Sequence, residues 1–377
     1  NNIVNLSLKK CHLQKLPSGL SKLKNLLQNN LDKDYFEPQI ACLHDRGDLF
    51  QEVLKSDIKV HIIDLYKNAR PIIKMLKECY QLSKVFKKIN PNIIHSYNYS
   101  SDYTEPLAAK MAGIKWIYTK KNMSWKGPSY RGWRLRTFLA NGIIAQNSDM
   151  IRDFFYNNKK AKLIPMGIDI DEYKKQQINS RVLKKWNIDT GTRVIMSVAN
   201  LIPIKGMEIL IKAFEGLYRD YTNWVLMIVG NDKSNYAMDL KKYLDNKTNL
   251  KERVVFTGVQ KNVRELLNIA EIYVQPTLNV GGGEGGPVAT LEAMANGKII
   301  IGSNISGIRD QLLDHFPHHL FNPGNITDLK QKLNQFMEND KNTNKRLGND
   351  FYNYVKEAFN ISIQKQKSEL FYLNITQ

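Results

Sequence analysis

No apolar run in this chain of 377 residues approaches the ~18 that a membrane-spanning helix needs, so none is expected. The start, NNIVNLSLKK, lacks the basic-then-apolar-then-small order of a secretory signal. Cysteine is scarce. Cys11, Cys42 and Cys79 stand far apart without metal-ligand spacing, which argues against a zinc site or a disulfide framework and suits a reducing cytoplasm. Internal repeats and low-complexity tracts are missing too. What remains is a globular composition, 42% hydrophobic and 24% charged, at a length that suggests two domains of similar size.

Negative charge is also in short supply: 36 Asp+Glu face 55 Lys+Arg, for a net +19. The imbalance is concentrated in residues 1–180, where 30 Lys+Arg face 16 Asp+Glu (+14); the remainder holds 25 against 20 (+5). A basic half points to an anionic partner, whether a membrane surface, a phosphorylated acceptor or nucleic acid. The alternative is lineage bias, because Lys, Asn and Ile are all abundant and AT-rich genomes favour their codons.

Short apolar runs alternate with longer amphipathic segments, the pattern of an α/β protein with parallel sheets covered on both faces. The first half offers strands at IVNLSL, PQIACL, KVHIIDL, NIIHSY, KWIYTK and GIIAQN, with helices such as IIKMLKECYQLSKVFKKI and EPLAAKMA between them. The second half offers strands at RVIMSVAN, WVLMIVG, RVVFTG, IYVQPT and KIIIGS, separated by helical stretches. The rhythm breaks near LIPMGIDIDEYKKQQINS, which places the domain boundary at about residue 172. The expected domains are 1–172 and 173–355, with a helical segment at about 356–377 packing back on the first.

The stretch GGGEGGPVATLEAMANG, residues 281–297, combines a glycine-rich loop, an abrupt helix start and two glutamates. Pro287 suits a first helical turn and Gly297 a C-terminal stop, so the helix spans roughly 287–296. Such a loop leaves backbone N–H groups open to a ligand, and a helix N-terminus adds partial positive charge that favours phosphate. Glu284 lies beside that phosphate site. Glu292 lies one and a half turns into the helix, where a carboxylate can accept hydrogen bonds from a ribose diol. A flexible linker is the bland alternative, but the strand EIYVQP and the helix flank the loop too tightly for one.

On these residues the sequence resembles the family-4 glycosyltransferases of the GT-B fold, whose signature is two glutamates separated by seven residues: Glu284-GGPVATL-Glu292. Further matches lie at IAEIYVQPT, EAMANGKIIIGSNISGIRDQL, FTG (256–258), IVG (228–230), IPMGID (164–169) and SVANLIPIKGMEILIKAF (197–214). They cover most of the second domain; in the first the likeness is limited to fragments such as INPNIIHSYN. The resemblance implies two Rossmann-like domains facing a central cleft, with a nucleotide sugar held mainly by the second.

It implies that Glu292 binds the ribose hydroxyls and that Glu284 contacts the donor sugar near its reacting carbon. Backbone N–H groups around Val288, Ala289 and Thr290 hold the distal phosphate, with Gly286, Pro287 and Val259 completing the donor site. Lys205 matches the second basic residue of the family's R-L-x-x-x-K-G motif, here NLIPIKG, and neutralises the leaving diphosphate. Asn200 stands where arginine is common and donates only neutral hydrogen bonds. Lys205 and Glu284 are therefore the candidate catalytic residues. No Asp-x-Asp pair stands in a suitable loop, so no bound cofactor and no metal are expected. The donor substrate is a nucleotide sugar, a UDP-sugar in preference to a GDP-sugar.

The acceptor side is less marked. The family's glycine pair after the first strand is replaced by Cys11–His12 in SLKKCHLQKLPSGL. His12 supplies a donor there, or the loop is altered without catalytic duty. His95, at the end of a strand, is either an acceptor-side residue or a buried structural histidine. Asn122 stands near where some relatives carry a histidine. From Lys120 to Arg136, KKNMSWKGPSYRGWRLR holds basic and aromatic residues and no acid, suiting a membrane interface, a phosphorylated acceptor or simply an exposed loop. The resulting expectation is a retaining hexosyltransferase acting on a saccharide or lipid-linked acceptor at the cytoplasmic face of the plasma membrane. The alternatives are a nucleotide-sugar epimerase and a degenerate GT-B protein that binds without transfer. A nucleic-acid partner would account for the charge but not for the two glutamates.

Overall fold

The computed structural model describes the chain except residues 1, 9–30, 44, 46–49, 51–57, 66, 99, 125–129, 179, 281–283 and 377, with residues 2–8 described by their backbone. The chain divides into two compact units, Asn1–Pro165 with Ile361–Gln377, and Met166–Asn360.

In the first unit the strands are β1 (Asn2–Leu8), β2 (Glu37–Cys42), β3 (Lys59–Ile62), β4 (Ile93–Ser96), β5 (Lys115–Lys120), β6 (Gly142–Ala145) and β7 (Ala161–Leu163). Among the described residues they pair in the order β3-β2-β1-β4-β5-β6-β7, every pairing parallel. Every residue of β4 and β6 is buried, as expected of strands covered on both faces. The helices α1 (Ile72–Ile89), α2 (Thr104–Ala112), α3 (Tyr130–Leu139) and α4 (Ser148–Phe154) lie in the crossovers. Helix α1 turns Met75, Cys79, Leu82 and Phe86 inward at helical spacing and its lysines outward. The chain returns as Ile361–Thr376, whose Phe371 and Tyr372 are buried in this unit.

The second unit contains β8 (Arg193–Val198), β9 (Trp224–Val229), β10 (Val254–Phe256), β11 (Ile272–Gln275), β12 (Ile299–Ser303) and β13 (Leu320–Phe321), in the order β10-β9-β8-β11-β12-β13, again parallel throughout. Strand order reverses where β8 meets β11. In open α/β sheets the crevice at the carboxyl ends of such strands is the usual ligand site. The elements used below are α5 (Ile170–Tyr173), α6 (Met207–Glu215) and α7 (Val288–Ala295).

Two expectations are corrected. The basic-aromatic stretch is not a loop throughout, because Tyr130–Leu139 is helical, with Trp133 and Arg136 buried. The single helix read from DFYNYVKEAFNISIQKQKSELFYL is two, Lys341–Ala358 and Ile361–Thr376. The break lies at Phe359, which leaves helical geometry and accepts at its carbonyl the Ile168 N–H (2.8 Å). Helical periodicity runs through this break, and only a tertiary pairing reveals it.

Candidate active site

All strands of the second sheet run one way, so the turns after β8, β10, β11 and β12 emerge on the same edge. Asn200 and Lys205 follow β8, Val259 follows β10, and Thr277 and Glu284 follow β11. Lys205 closes a short 3₁₀ turn, Pro203–Lys205. The next residue, Gly206, has φ +68°, and a Cβ there would overlap the Pro276 carbonyl oxygen. The absent side chain lets the turn lie on the strand exit, where Leu278 N–H donates to the Ile204 carbonyl (2.8 Å). Lys205 is thereby carried to Glu284, and the two form an ion pair. Glu284 also accepts from the Thr277 hydroxyl (3.2 Å). Asn200 and Val259 are exposed on the same edge.

Glu284 begins the described part of the glycine-rich loop; Gly281–Gly283 lie outside the described residues. The loop rests on the turn after β12. Gly307 has φ +81°, and a Cβ on it would come within 2.9 Å of the Gly285 carbonyl carbon and the Gly286 nitrogen. Beyond Gly286 the chain enters α7 with Pro287 as the N-cap, so the helix starts at Val288, one residue later than the sequence suggested. No side chain caps it, and its first-turn N–H groups, those of Val288, Ala289 and Thr290, have no intrahelical acceptor. Gln311 donates to the Pro287 carbonyl (3.1 Å) and steadies the entry. The Thr290 hydroxyl is buried and has no hydrogen-bond partner. The helix ends at Asn296, and Gly297 N–H donates to the Met294 carbonyl (2.8 Å).

Glu292 is largely buried on α7, and one carboxylate oxygen accepts the Tyr173 hydroxyl (3.1 Å). Tyr173 comes from α5, whose Asp169 cap accepts the N–H groups of Asp171 and Glu172. Its own carbonyl accepts the Asn296 amide (2.8 Å). Burial, then the charge of Glu292, raises the Tyr173 phenol well above its ordinary range, so it remains a donor. One edge of one sheet therefore carries a cation, two carboxylates with nearby hydroxyl donors, and an uncapped helix start.

The family model described as Glycosyl transferases group 1 matches residues 179–354, and that described as Glycosyltransferase Family 4 matches 23–172. The chain belongs to the group 1/family 4 glycosyltransferases. A relative in Escherichia coli, named UDP-Gal:alpha-D-GlcNAc-diphosphoundecaprenol alpha-1,3-galactosyltransferase, is 23% identical over 98% of this chain and 97% of its own. Among solved structures, a glycosyltransferase from Rickettsia africae superposes with a TM-score of 0.84 at 18% identity, covering 100% of this chain and 98% of that one. Anabaena HepE in complex with UDP and glucose gives 0.77 at 18% identity, covering 98% of both. The fold is GT-B.

In the first unit of this glycosyltransferase, His12 lies outside the described residues. His95 is buried, the structural alternative of the two considered. One ring nitrogen meets the Tyr372 hydroxyl (2.8 Å), the other the Thr119 hydroxyl (2.7 Å), and Tyr97 stacks on its face. Burial, then the charge of Lys121, pushes its pKa down to about 3, so the ring is neutral at any working pH. Asn122 accepts from the Lys120 ammonium (2.6 Å). Lys120 itself is buried 4.2 Å over the Trp133 ring, and burial, then the charge of Arg136, lowers its pKa to about 7. Arg136 lies over the Trp116 and Tyr118 rings and donates to the carbonyls of Asp102 (2.7 Å) and Asn98 (3.1 Å). Two charges read as part of an anion-attracting surface are thus internal struts, Arg136 holding the loop that leaves β4 and Lys120 the loop that leaves β5, through Asn122 and the Ser124 carbonyl. Tyr173 and Thr277 were not anticipated. The available signal was weak: a tyrosine ending the linker motif, and a hydroxyl in phase with the strand.

Proposed function

We propose that this glycosyltransferase is a retaining hexosyltransferase that takes its sugar from a nucleotide-diphosphate hexose, UDP-linked rather than GDP-linked. It passes the sugar to a hydroxyl of a saccharide or lipid-linked acceptor in cell-surface polysaccharide or glycolipid synthesis. The observation that carries this reading is the gathering of Lys205, Glu284, the start of α7 and Glu292 on one sheet edge. The E. coli relative, whose name specifies UDP-Gal and a diphosphoundecaprenol-linked sugar, supports the choice of donor and acceptor.

In this reading Glu292 accepts the ribose hydroxyls and the α7 N-terminus holds the distal phosphate, with its N–H groups already aimed. Lys205 leaves Glu284 for the diphosphate and meets the charge that develops as the anomeric C–O bond breaks. Glu284 then accepts hydroxyls of the sugar. The acceptor oxygen bonds to the anomeric carbon on the face the diphosphate leaves, and its proton passes to the departing phosphate oxygen, so configuration is retained. Lysine and helix supply the positive charge, so the reaction needs no metal. The site of action is the cytoplasmic face of an anionic membrane. The outer face of α1 supports this, with Ile72, Ile73, Leu76 and Tyr80 exposed beside Lys74, Lys77, Lys84 and Lys87.

The test is a transfer assay with UDP-glucose, UDP-galactose, UDP-GlcNAc and GDP-mannose against polyprenyl-diphosphate sugars, in EDTA, with the new linkage read by NMR. An α-linked product from an α-linked donor is expected. An inverted linkage, or an absolute requirement for divalent metal, contradicts the mechanism, and an acceptor-independent change in the donor sugar indicates an epimerase.

A further inference from the structure

We propose that Thr277 is a positioning residue for Glu284, at the end of a directed hydrogen-bond relay running along β11 from Tyr273 through Gln275. The proposal rests on the reading of Glu284 as the carboxylate that holds the donor sugar. Residues 273, 275 and 277 alternate, so an extended chain projects them on one face. The Tyr273 hydroxyl donates to Gln275 Oε1 (2.9 Å), Gln275 Nε2 donates to Thr277 Oγ1 (3.0 Å), and Thr277 Oγ1 donates to Glu284 Oε1 (3.2 Å). Tyr273, Gln275 and Thr277 are all buried.

The direction is set by chemistry. A carboxylate only accepts, and the Thr277 oxygen already receives the Gln275 amide proton, so its own proton goes to Glu284. Burial, then the charge of Glu292, raises the Tyr273 phenol well above its ordinary range, so the head of the relay stays a donor. Buried chains of donors polarise one another, and a hydrogen bond to a charged group is stronger than one between neutral groups. The ion pair with Lys205 cannot hold Glu284 through catalysis, because that ammonium is needed on the diphosphate. Thr277 contacts the same carboxylate oxygen from a buried position and remains after Lys205 leaves.

Thr277→Val preserves shape and removes the proton. Its expected effect is a roughly tenfold fall in kcat with a UDP-hexose, the lower bound for a charge-assisted bond. The affinity for UDP alone should stay within about twofold of wild type, because the nucleotide is held elsewhere. Thr277→Ser should restore kcat, and Thr277→Val should add little in a Glu284→Gln background, where a neutral amide replaces the carboxylate charge that the relay serves. Thr277→Ala, which also removes the proton, carries the same expectation should Thr277→Val fail to fold, and Gln275→Met, which leaves the Thr277 hydroxyl on Glu284, should give a smaller fall. Wild-type kcat in Thr277→Val, no rescue by serine, or full additivity with Glu284→Gln overturns the proposal while transfer by the wild-type chain stands. A wild-type chain that neither binds nor turns over any of the four nucleotide sugars overturns the underlying reading, and this one with it.

Discussion

Lys205 and Glu284 are each other's counter-ion. That pairing resolves a difficulty of the pocket, since an uncompensated charge in a half-buried site is costly. In the proposed reaction it also means that donor phosphate competes with a carboxylate for the lysine. Asn200 adds no second cation, so the proposed reaction asks the α7 N-terminus to meet more of the diphosphate charge. Glu292 differs in accepting a hydrogen bond from a neutral phenol, that of Tyr173. Tyr173→Phe should therefore weaken UDP affinity by about threefold to tenfold, the net worth of one hydrogen bond, without altering the ratio of UDP-hexose to UDP affinity. Calorimetry on the variant checks this, and unchanged UDP affinity would remove Tyr173 from the site. The two glutamates and Lys205 were legible because their spacing follows a family motif. Tyr173 and Thr277 were not, because their partners lie 119 and 7 positions away and no local periodicity marks them.

The strands expected from apolar runs are found within a few residues of their limits, and α1 spans the segment read for it, Ile72–Ile89. Apolar continuity and amphipathic spacing are local signals, so a single sequence carries them. Short β7 and β13 were missed because three and two residues give no pattern. Helix α3 was missed because its inward face is Trp133 and Arg136, and a cation packed over aromatic rings resembles an exposed charge until the fold surrounds it. The glycines that build the site act between elements, Gly206 under Pro276 and Gly307 under the loop at 284–286. Gly307→Ala should force that loop off the β12 turn and impose a residue with φ +81°, costing on the order of 1–2 kcal/mol of stability. Donor affinity should fall with it. A variant with unchanged thermal midpoint and unchanged UDP affinity would show that the loop does not depend on this contact.

The chain passes between its two units at residues 165–166 and again at 360–361. Sequence rhythm put the first passage near 172, but the linker is claimed earlier by the second unit, where Ile168 and Ile170 enter the core and Tyr173 reaches Glu292. The first unit carries most of the positive charge and the exposed apolar face of α1. That combination predicts binding to vesicles containing phosphatidylglycerol but not to phosphatidylcholine alone, falling with salt and lost in Ile73→Glu/Leu76→Glu. Equal sedimentation of the double variant would place the membrane contact elsewhere. In the second unit a helix start, a lysine and two carboxylates gather on one sheet edge, proposed above as one site for a nucleotide sugar. Calorimetric titration of UDP-hexoses into the full chain and into Glu292→Ala tests it most directly. Saturable one-to-one binding to the wild type and at least a hundredfold loss in a folded variant are expected; equal affinity in both, or no nucleotide sugar bound by the wild type, would contradict that site.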